Sequence, residues 1–393
     1  MTEVMVVAGT RTAIGDYGGA FKEIPATRLG SIAIKEALTR AKVDPAMVGH
    51  VVMGSVIHGE ARDMYLSRVA AVDAGVPVGT PALTVNRLCG SGLQAIVSAA
   101  QHLMLGDCAV AVAGGAESMS RAAYMLPSGR WGQRMGDAPV IDAMTAALHD
   151  PFGHGHMGVT AENIAAKYGF TRQQQDEFAL QSHQKAHHAA QSGYFASQVV
   201  PVELKSRKGV EQFTTDEHVR ADASMENLAK LKPVFKKDGT VTAANASGIN
   251  DAGAAIVLVT SDQAKQSNLK PMARLVAYAH AGVEPQVMGL GPIPAVKRVF
   301  EKAGLKPADM DVIESNEAFA VQAMAVTKDL GLDPAKVNPN GGAGALGHPI
   351  GATGCILTVK ALYELERTKK RYALVTMCIG GGQGIAAIFE RAS

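Results

Sequence analysis

Cys89, Cys378 and His348 are the residues of this chain whose types and settings could do chemistry. Cys89 sits in Asn86-Arg87-Leu88-Cys89-Gly90-Ser91-Gly92, His348 in Gly347-His348-Pro349, and Cys378 in Cys378-Ile379-Gly380-Gly381-Gly382. Glycines let the backbone turn sharply and leave room for a substrate carbonyl to approach. Cys89 lies just before a helix-like run, Leu93–Leu105. The positive end of that helix and its free N–H groups would lower the thiol pKa from its usual value of about 8.5. Cys378 ends a strand-like run, and strand ends are where α/β proteins build their sites. His348 is a candidate base for activating a thiol. The bland alternatives are two packing cysteines and a hydrogen-bonded loop histidine. The glycine frames favour one nucleophilic sulfur and a second ionisable one. Cys108 and Cys355 have no such frame and read as packing residues.

The elements that must position these groups alternate between strand and helix. Val4–Ala8, Val51–Val56 and Ala109–Ala113 read as strands, the last a buried parallel one, and Ile32–Ala41 and Leu93–Leu105 as helices. The C-terminal part repeats the plan, with helices Ala295–Ala303 and Ile356–Leu365 and strands Asp311–Ser315 and Ala373–Cys378. At an offset of 262, Pro45-Ala46 falls on Pro307-Ala308, Val51 on Ile313, and Ser91-Gly92 on Thr353-Gly354. A four-residue insertion then brings Gly114-Gly115 onto Gly380-Gly381. Persistence over about 70 residues favours a duplicated α/β unit. Cys89 then falls on Gly351 and Gly54 on Asn316, so equivalent loops of two halves would meet at one site.

The middle, from about Ser118 to Ala246, breaks this rhythm and reads as an inserted, helical and loop-like subdomain over the site. Thr171–Gln191 is its clear helix, with Thr171 and Gln174 as a capping box and Gly193 past the end. His183, His187 and His188 on this helix read as a solvated face rather than a zinc site. Lys205, Arg207, Lys208 and Arg220 could meet phosphates or be exposed loop charge. Gly342-Ala343-Gly344-Ala345-Leu346-Gly347 is formally a dinucleotide motif. A His-Pro pair interrupts it and no acidic residue closes a following strand, which argues against an oxidoreductase.

Bulk properties exclude several classes. The chain has 393 residues, net charge +2, 47% hydrophobic and 5% aromatic content. That charge, without a basic stripe, gives no reason to expect a nucleic-acid partner. No apolar run reaches the roughly 18 residues of a membrane span. Four cysteines without a CxxC pair suggest a reducing compartment, and no leader is apparent, so a cytoplasmic protein is expected.

Five motifs together resemble the thiolase family in order and spacing. They are Asn86–Gly92, Gly114-Gly115-Ala116-Glu117-Ser118-Met119-Ser120, Asn316-Glu317-Ala318-Phe319, Gly347–Gly351 and Cys378–Gly384. The match runs from Arg11-Thr12-Ala13 to the C-terminus, and it is most similar to bacterial β-ketothiolases that supply polyhydroxyalkanoate synthesis. The resemblance implies an α/β thiolase-like fold of two duplicated five-stranded α/β/α halves. One half would be residues 1–118 with 247–270, the other 271–393, with 119–246 as the inserted coenzyme A-binding subdomain.

The same resemblance implies the roles. Cys89 would carry the acyl group as a thioester, and His348 would activate it. Cys378 would exchange the α-proton of acetyl-CoA. Asn316, through a water, and His348 would form one oxyanion site, and the N–H groups of Cys89 and Gly380 the other. His156, Met157, Ser247 and Phe319 would line the pantetheine arm, with Arg220 near the nucleotide. Asn227 stands where relatives often carry Ser, and Ser315 is an unusual neighbour for Asn316. Acetyl-CoA and acyl-CoA substrates, no metal or redox cofactor, and a homotetramer are implied. Two rivals are a decarboxylating ketoacyl synthase, which lacks the second cysteine, and a silent acyl-CoA binder, which would have lost one of the three reactive residues.

Overall fold

Apolar side chains point in both directions from most strands, so the strands must be covered on both faces. The structure is a computed structural model and describes residues 2–206 and 209–392. The N-terminal strands are β1 (Val4–Thr12), β2 (His50–Gly54), β3 (Ala82–Val85), β4 (Val110–Ser118) and β5 (Asn250–Thr260). The C-terminal strands are β6 (Ala273–Gly282), β7 (Val312–Ser315), β8 (Tyr372–Ile379) and β9 (Gln383–Arg391). They form one path, β7-β8-β9-β6-β1-β5-β4-β2-β3. The halves join where Met5 and Val6 of β1 pair with Arg274 and Ala273 of β6. Pairs β2–β3, β2–β4 and β7–β8 are parallel.

Three cores follow from the period-2 alternation. Val52, Ala111, Ala113, Ile256 and Leu258 face a common inner core with Val375, Met377, Ala387 and Phe389. Val51, Met53, Val110, Val112, Val257 and Val259 point the other way, onto helix α1 (Ala26–Ala41). Leu374, Ala386 and Ile388 point outward in the other half, onto a helix at Pro292–Ala303. The inner core is filled by helices α2 (Ser91–Leu105) and, in the C-terminal half, one at Ile350–Thr368. These two central helices cross with backbones touching. A Cβ on Gly92 would stand 2.8 Å from Cys355 N, and one on Gly354 would collide with Leu93 N. The Ser-Gly and Thr-Gly pairs matched by the internal repeat are therefore the crossing point of the two halves.

Between the halves of the sequence lie α3 (Met157–Tyr168) and α4 (Arg172–Gln191). Three long helices of the C-terminal half are α5 (Pro292–Ala303), α6 (Ala320–Leu330) and α7 (Ile350–Thr368). The capping box forms: Thr171 Oγ1 accepts from Gln174 N, and Gln174 Oε1 from Thr171 N at 2.9 Å.

Two expectations need correction. His183 is buried rather than solvated, and its Nδ1 accepts from Arg220 N at 3.1 Å. Among the described residues the C-terminal half has four strands, not five: Val337 makes only a single parallel bridge to Ile313. There the chain turns left-handed at Asn338 (φ 44°), and Pro339 has no N–H to extend a ladder. Of the basic stretch, Arg207 and Lys208 lie outside the described residues.

Candidate active site

The turn before α2 holds Cys89 under local strain. Leu88, a non-glycine residue, sits at φ 46°, and its N–H reaches Asn86 Oδ1 at 2.9 Å. Ser91 Oγ accepts from Arg87 N at 2.8 Å and donates to Leu88 O at 2.6 Å. A left-handed residue beside a reactive one is where folds store strain for function. The flanking glycines serve packing rather than substrate approach: a Cβ on Gly90 would stand 2.6 Å from Ile379 Cδ1.

The thiol itself is not activated in the resting state, contrary to the helix-dipole expectation. Burial pushes Cys89 up to about 11, and the nearby charge of Glu117 adds to this. The N–H groups of Gly380 and of Cys89 itself oppose the rise. Helix α2 begins at Ser91, two residues after Cys89, and the favourable end of its dipole is outweighed by this burial. Those two N–H groups converge on the sulfur and could equally hold an oxyanion formed there.

His348 is buried, which pushes its pKa down to about 4 and keeps the ring neutral. Its tautomer follows from its partners. Thr353 Oγ1 donates its one proton to Pro349 O at 2.9 Å and so accepts from His348 Nδ1–H at 2.7 Å. Nε2 therefore carries the lone pair, with Asn316 Nδ2 at 3.5 Å. His348 N is fixed by Asn250 Oδ1 at 2.9 Å. A neutral imidazole with a free Nε2 can take a thiol proton.

Cys378 is fully buried at the end of β8. Burial, and then the charge of a Cys89 thiolate, raise its pKa, while its own N–H lowers it. Asn316 is also fully buried, and its Oδ1 has no protein partner.

A cavity of about 510 Å³ collects Cys89, His348 and Gly380 with His156, Met157, Arg220, Ser247 and Phe319. Cys378 and Asn316 do not line it but adjoin residues that do: Cys378 clusters with Met157 and Phe319, and Asn316 meets His348. His156 caps α3 through Gly158 N, stacks on Phe235 with centroids 4.6 Å apart, and is pushed down to about 4, chiefly by burial. Ala246 bridges Phe319, and Ser247 N donates to Ala318 O at 3.0 Å. Arg220 stands at the rim, with Nη2 3.1 Å from Asp16 Oδ2. Beyond it, a second cavity of about 400 Å³ is lined by Arg220, Asn227, Leu228 and Leu231.

Sequence reasoning gave no role to Thr353, Asn250 or Phe235, and named Glu117 only within a motif. Glu117 accepts from Val56, Ile57 and Gly351 N–H groups at 2.8–3.1 Å, tying the Cys89 half to the segment after His348. Burial pushes it up to about 8. The pairing of Ser91 with Thr353 was the one signal available for Thr353. Among the described residues, no three His, Cys, Asp or Glu side chains are grouped to hold a metal ion.

Known proteins match throughout. The thiolase N-terminal domain matches residues 4–262 and the thiolase C-terminal domain residues 269–391. The chain is 64% identical over 390 residues to Beta-ketothiolase BktB of Cupriavidus necator, covering 99% of each. It is 49% identical over 394 residues to an Acetyl-CoA acetyltransferase of the same organism, covering 100% of each. The crystal structure of human mitochondrial 3-ketoacyl-CoA thiolase superposes with a TM-score of 0.98 at 45% identity, covering 100% of this chain and 99% of the other. The same human enzyme in complex with CoA gives a TM-score of 0.97 at 44% identity, covering 100% and 98%.

Proposed function

Since this chain belongs to the thiolase family, we propose that it is a β-ketothiolase, an acyltransferase that joins an acyl-CoA and acetyl-CoA into a 3-oxoacyl-CoA and free CoA, reversibly. The single observation that carries the reading is a thiol, a neutral histidine with an unprotonated Nε2 and two convergent N–H groups at one cavity.

His348 Nε2 takes the Cys89 proton as the sulfur attacks the thioester carbonyl. The carbonyl oxygen becomes an oxyanion held by the N–H groups of Cys89 and Gly380. Collapse expels CoA as a thiolate, which takes the proton of Cys378, leaving an acyl group on Cys89, the Cys89 proton on His348 and a thiolate at Cys378. In the second half, Cys378 takes a proton from the methyl group of acetyl-CoA. The enolate oxygen is stabilised beside His348 and Asn316, whose Oδ1 is free to orient a water. The enolate carbon attacks the Cys89 thioester, the C–S bond breaks, the released Cys89 sulfur takes back its proton from His348, and 3-oxoacyl-CoA leaves. Losing one donor from such a site typically costs about 100- to 1000-fold in rate.

The ordering has a physical basis. An ionised Cys89 would raise the proton affinity of Cys378 further, so the second sulfur ionises more readily while the first is uncharged, as it is once acylated.

The pantetheine arm would run past His156, Met157, Ser247 and Phe319, and the nucleotide would emerge at Arg220 toward the cavity that Asn227 lines. A homotetramer in the cytoplasm, feeding polyhydroxyalkanoate synthesis, belongs to this reading. Exposed Tyr124, Met125, Leu126, Trp131 and Met135 on one arm support self-association. Among the described residues, no helix is long and apolar enough to cross a membrane.

Mass spectrometry after brief exposure to acetyl-CoA tests the reading. A single acetyl group on the peptide containing Cys89 is expected. A folded protein that binds CoA but shows no adduct would instead be a silent acyl-CoA binder. Condensation only with release of CO2 from a malonyl donor would identify a ketoacyl synthase.

A further inference from the structure

Lys360 is a charged residue in the middle of α7, with its side chain only 1% exposed. Its Nζ donates to Glu314 Oε2 at 2.8 Å and to Gly341 O at 2.6 Å. Glu314 is fully buried, and its Oε1 has no hydrogen-bond partner among the described residues. Burial holds this carboxyl up at about 7, with Lys360 opposing the rise. Apolar residues of similar size would fill this place without desolvating two charges, so the pair is weak evidence for stability alone.

The two acceptors of Lys360 belong to the two segments that carry Asn316 and His348. Glu314 precedes Asn316 on β7, and Gly341 opens the loop that leads to His348. The same strand end and loop are laced by further bonds. Ser315 N donates to Asn338 Oδ1 at 2.9 Å, and Asn338 Nδ2 donates to Ser315 O at 2.8 Å and Glu317 Oε1 at 2.7 Å. Gly344 N donates to Glu317 Oε2 at 3.1 Å, and Ser182 Oγ reaches the same oxygen at 2.6 Å. His348 has its own anchors in Asn250 and Thr353, neither of which is on β7. A change at Lys360 would therefore move Asn316 relative to His348 more than it would move His348 relative to Cys89.

We infer that Lys360, with Glu314, is a positioning residue that sets Asn316 Nδ2 against His348 Nε2 and so shapes the enolate-binding site without touching substrate. This rests on the thiolase reading above. It separates the two half-reactions: acylation uses His348, Cys89 and Gly380, whereas condensation also needs Asn316.

The test compares wild type, Lys360→Met, Lys360→Gln and the double variant Glu314→Leu/Lys360→Met. Three quantities are read: the thermal midpoint, the rate of Cys89 acetylation by acetyl-CoA, and the rate of acetoacetyl-CoA formation. Lys360→Met leaves a buried carboxylate unpaired, and its midpoint falls. The double variant leaves no unpaired charge and melts near wild type. It acetylates Cys89 within about threefold of wild type but condenses about ten- to a hundredfold more slowly. Lys360→Gln can still donate to Gly341 O and recovers part of the condensation rate relative to Lys360→Met. A double variant with wild-type condensation, or with equal losses in both half-reactions, would overturn the positioning role. Absence of acetylation in wild type would overturn the thiolase reading and this role with it, a different result from either.

Discussion

Cys89 and Cys378 offer the same atom in opposite settings. Cys89 sits in a strained turn on a cavity wall, with two N–H groups aimed at its sulfur. Cys378 is buried near a strand end, in one cluster with Met157, Ala318 and Phe319, which line the cavity. The first can receive a carbonyl and stabilise the charge that develops. The second is held in an apolar shell where its thiolate is a strong base. In the proposed mechanism environment, not residue type, divides the labour, as it does for paired carboxylates elsewhere.

Removing each sulfur in turn should sharpen this contrast. Cys89→Ala is expected to eliminate the acyl adduct and lower turnover by about 10⁴-fold or more. Cys378→Ala should still take one acetyl group at Cys89, while condensation falls by about 10²- to 10⁴-fold, the usual contribution of a positioned acid–base group. Wild-type condensation in Cys378→Ala would erase the distinction between the two sulfurs.

A smaller effect concerns the base they share. Thr353→Val removes the acceptor that fixes Nδ1–H, so the ring can turn its proton toward Cys89. Acetylation should slow about 10- to 100-fold, read by stopped-time mass spectrometry. The same histidine sets an acid limit. Its folded pKa lies near 4, below the unfolded value of about 6.5. The unfolded chain thus binds more protons between those values, and stability falls as pH drops from about 6.5 toward 4. Denaturant midpoints measured across that window should decline, and less so in a His348→Asn variant.

The smallest expected change lies at the rim. Arg220→Ala should raise KM for acetyl-CoA about threefold with kcat unchanged, the signature of lost uniform binding. A fall in kcat instead would move Arg220 from the nucleotide end into the machinery of the sulfurs.

Much of this arrangement was legible before the structure. The capping box at Thr171 and the strand ending at Cys378 depend on local signals a few residues long. The offset of 262 also carried true information. Pro45-Ala46 and Pro307-Ala308 both open 3₁₀ turns, and Ser91 and Thr353 both brace the loop before a central helix. What escaped depends on distant partners. His183 looked solvated because its helix is polar, yet the segment at Arg220 folds over it. The Cys89 thiol looked activated because the helix follows it, but burial by the other half outweighs the dipole. The missing fifth strand was hidden by the repeat itself, which encouraged symmetry where Asn338 and Pro339 end the pairing.

The crossing at Gly92 and Gly354 has a mechanical consequence. Where helices meet through side chains, their spacing drifts as those side chains change rotamer or are substituted. Here the halves bear on one another backbone to backbone, a hard stop that no repacking of the surrounding core can adjust. Cys89 lies just N-terminal to one side of that stop and His348 just N-terminal to the other. The gap between Cys89 and His348 is thus gauged by peptide dimensions, and substitutions elsewhere in the inner core can retune stability while leaving that gap alone.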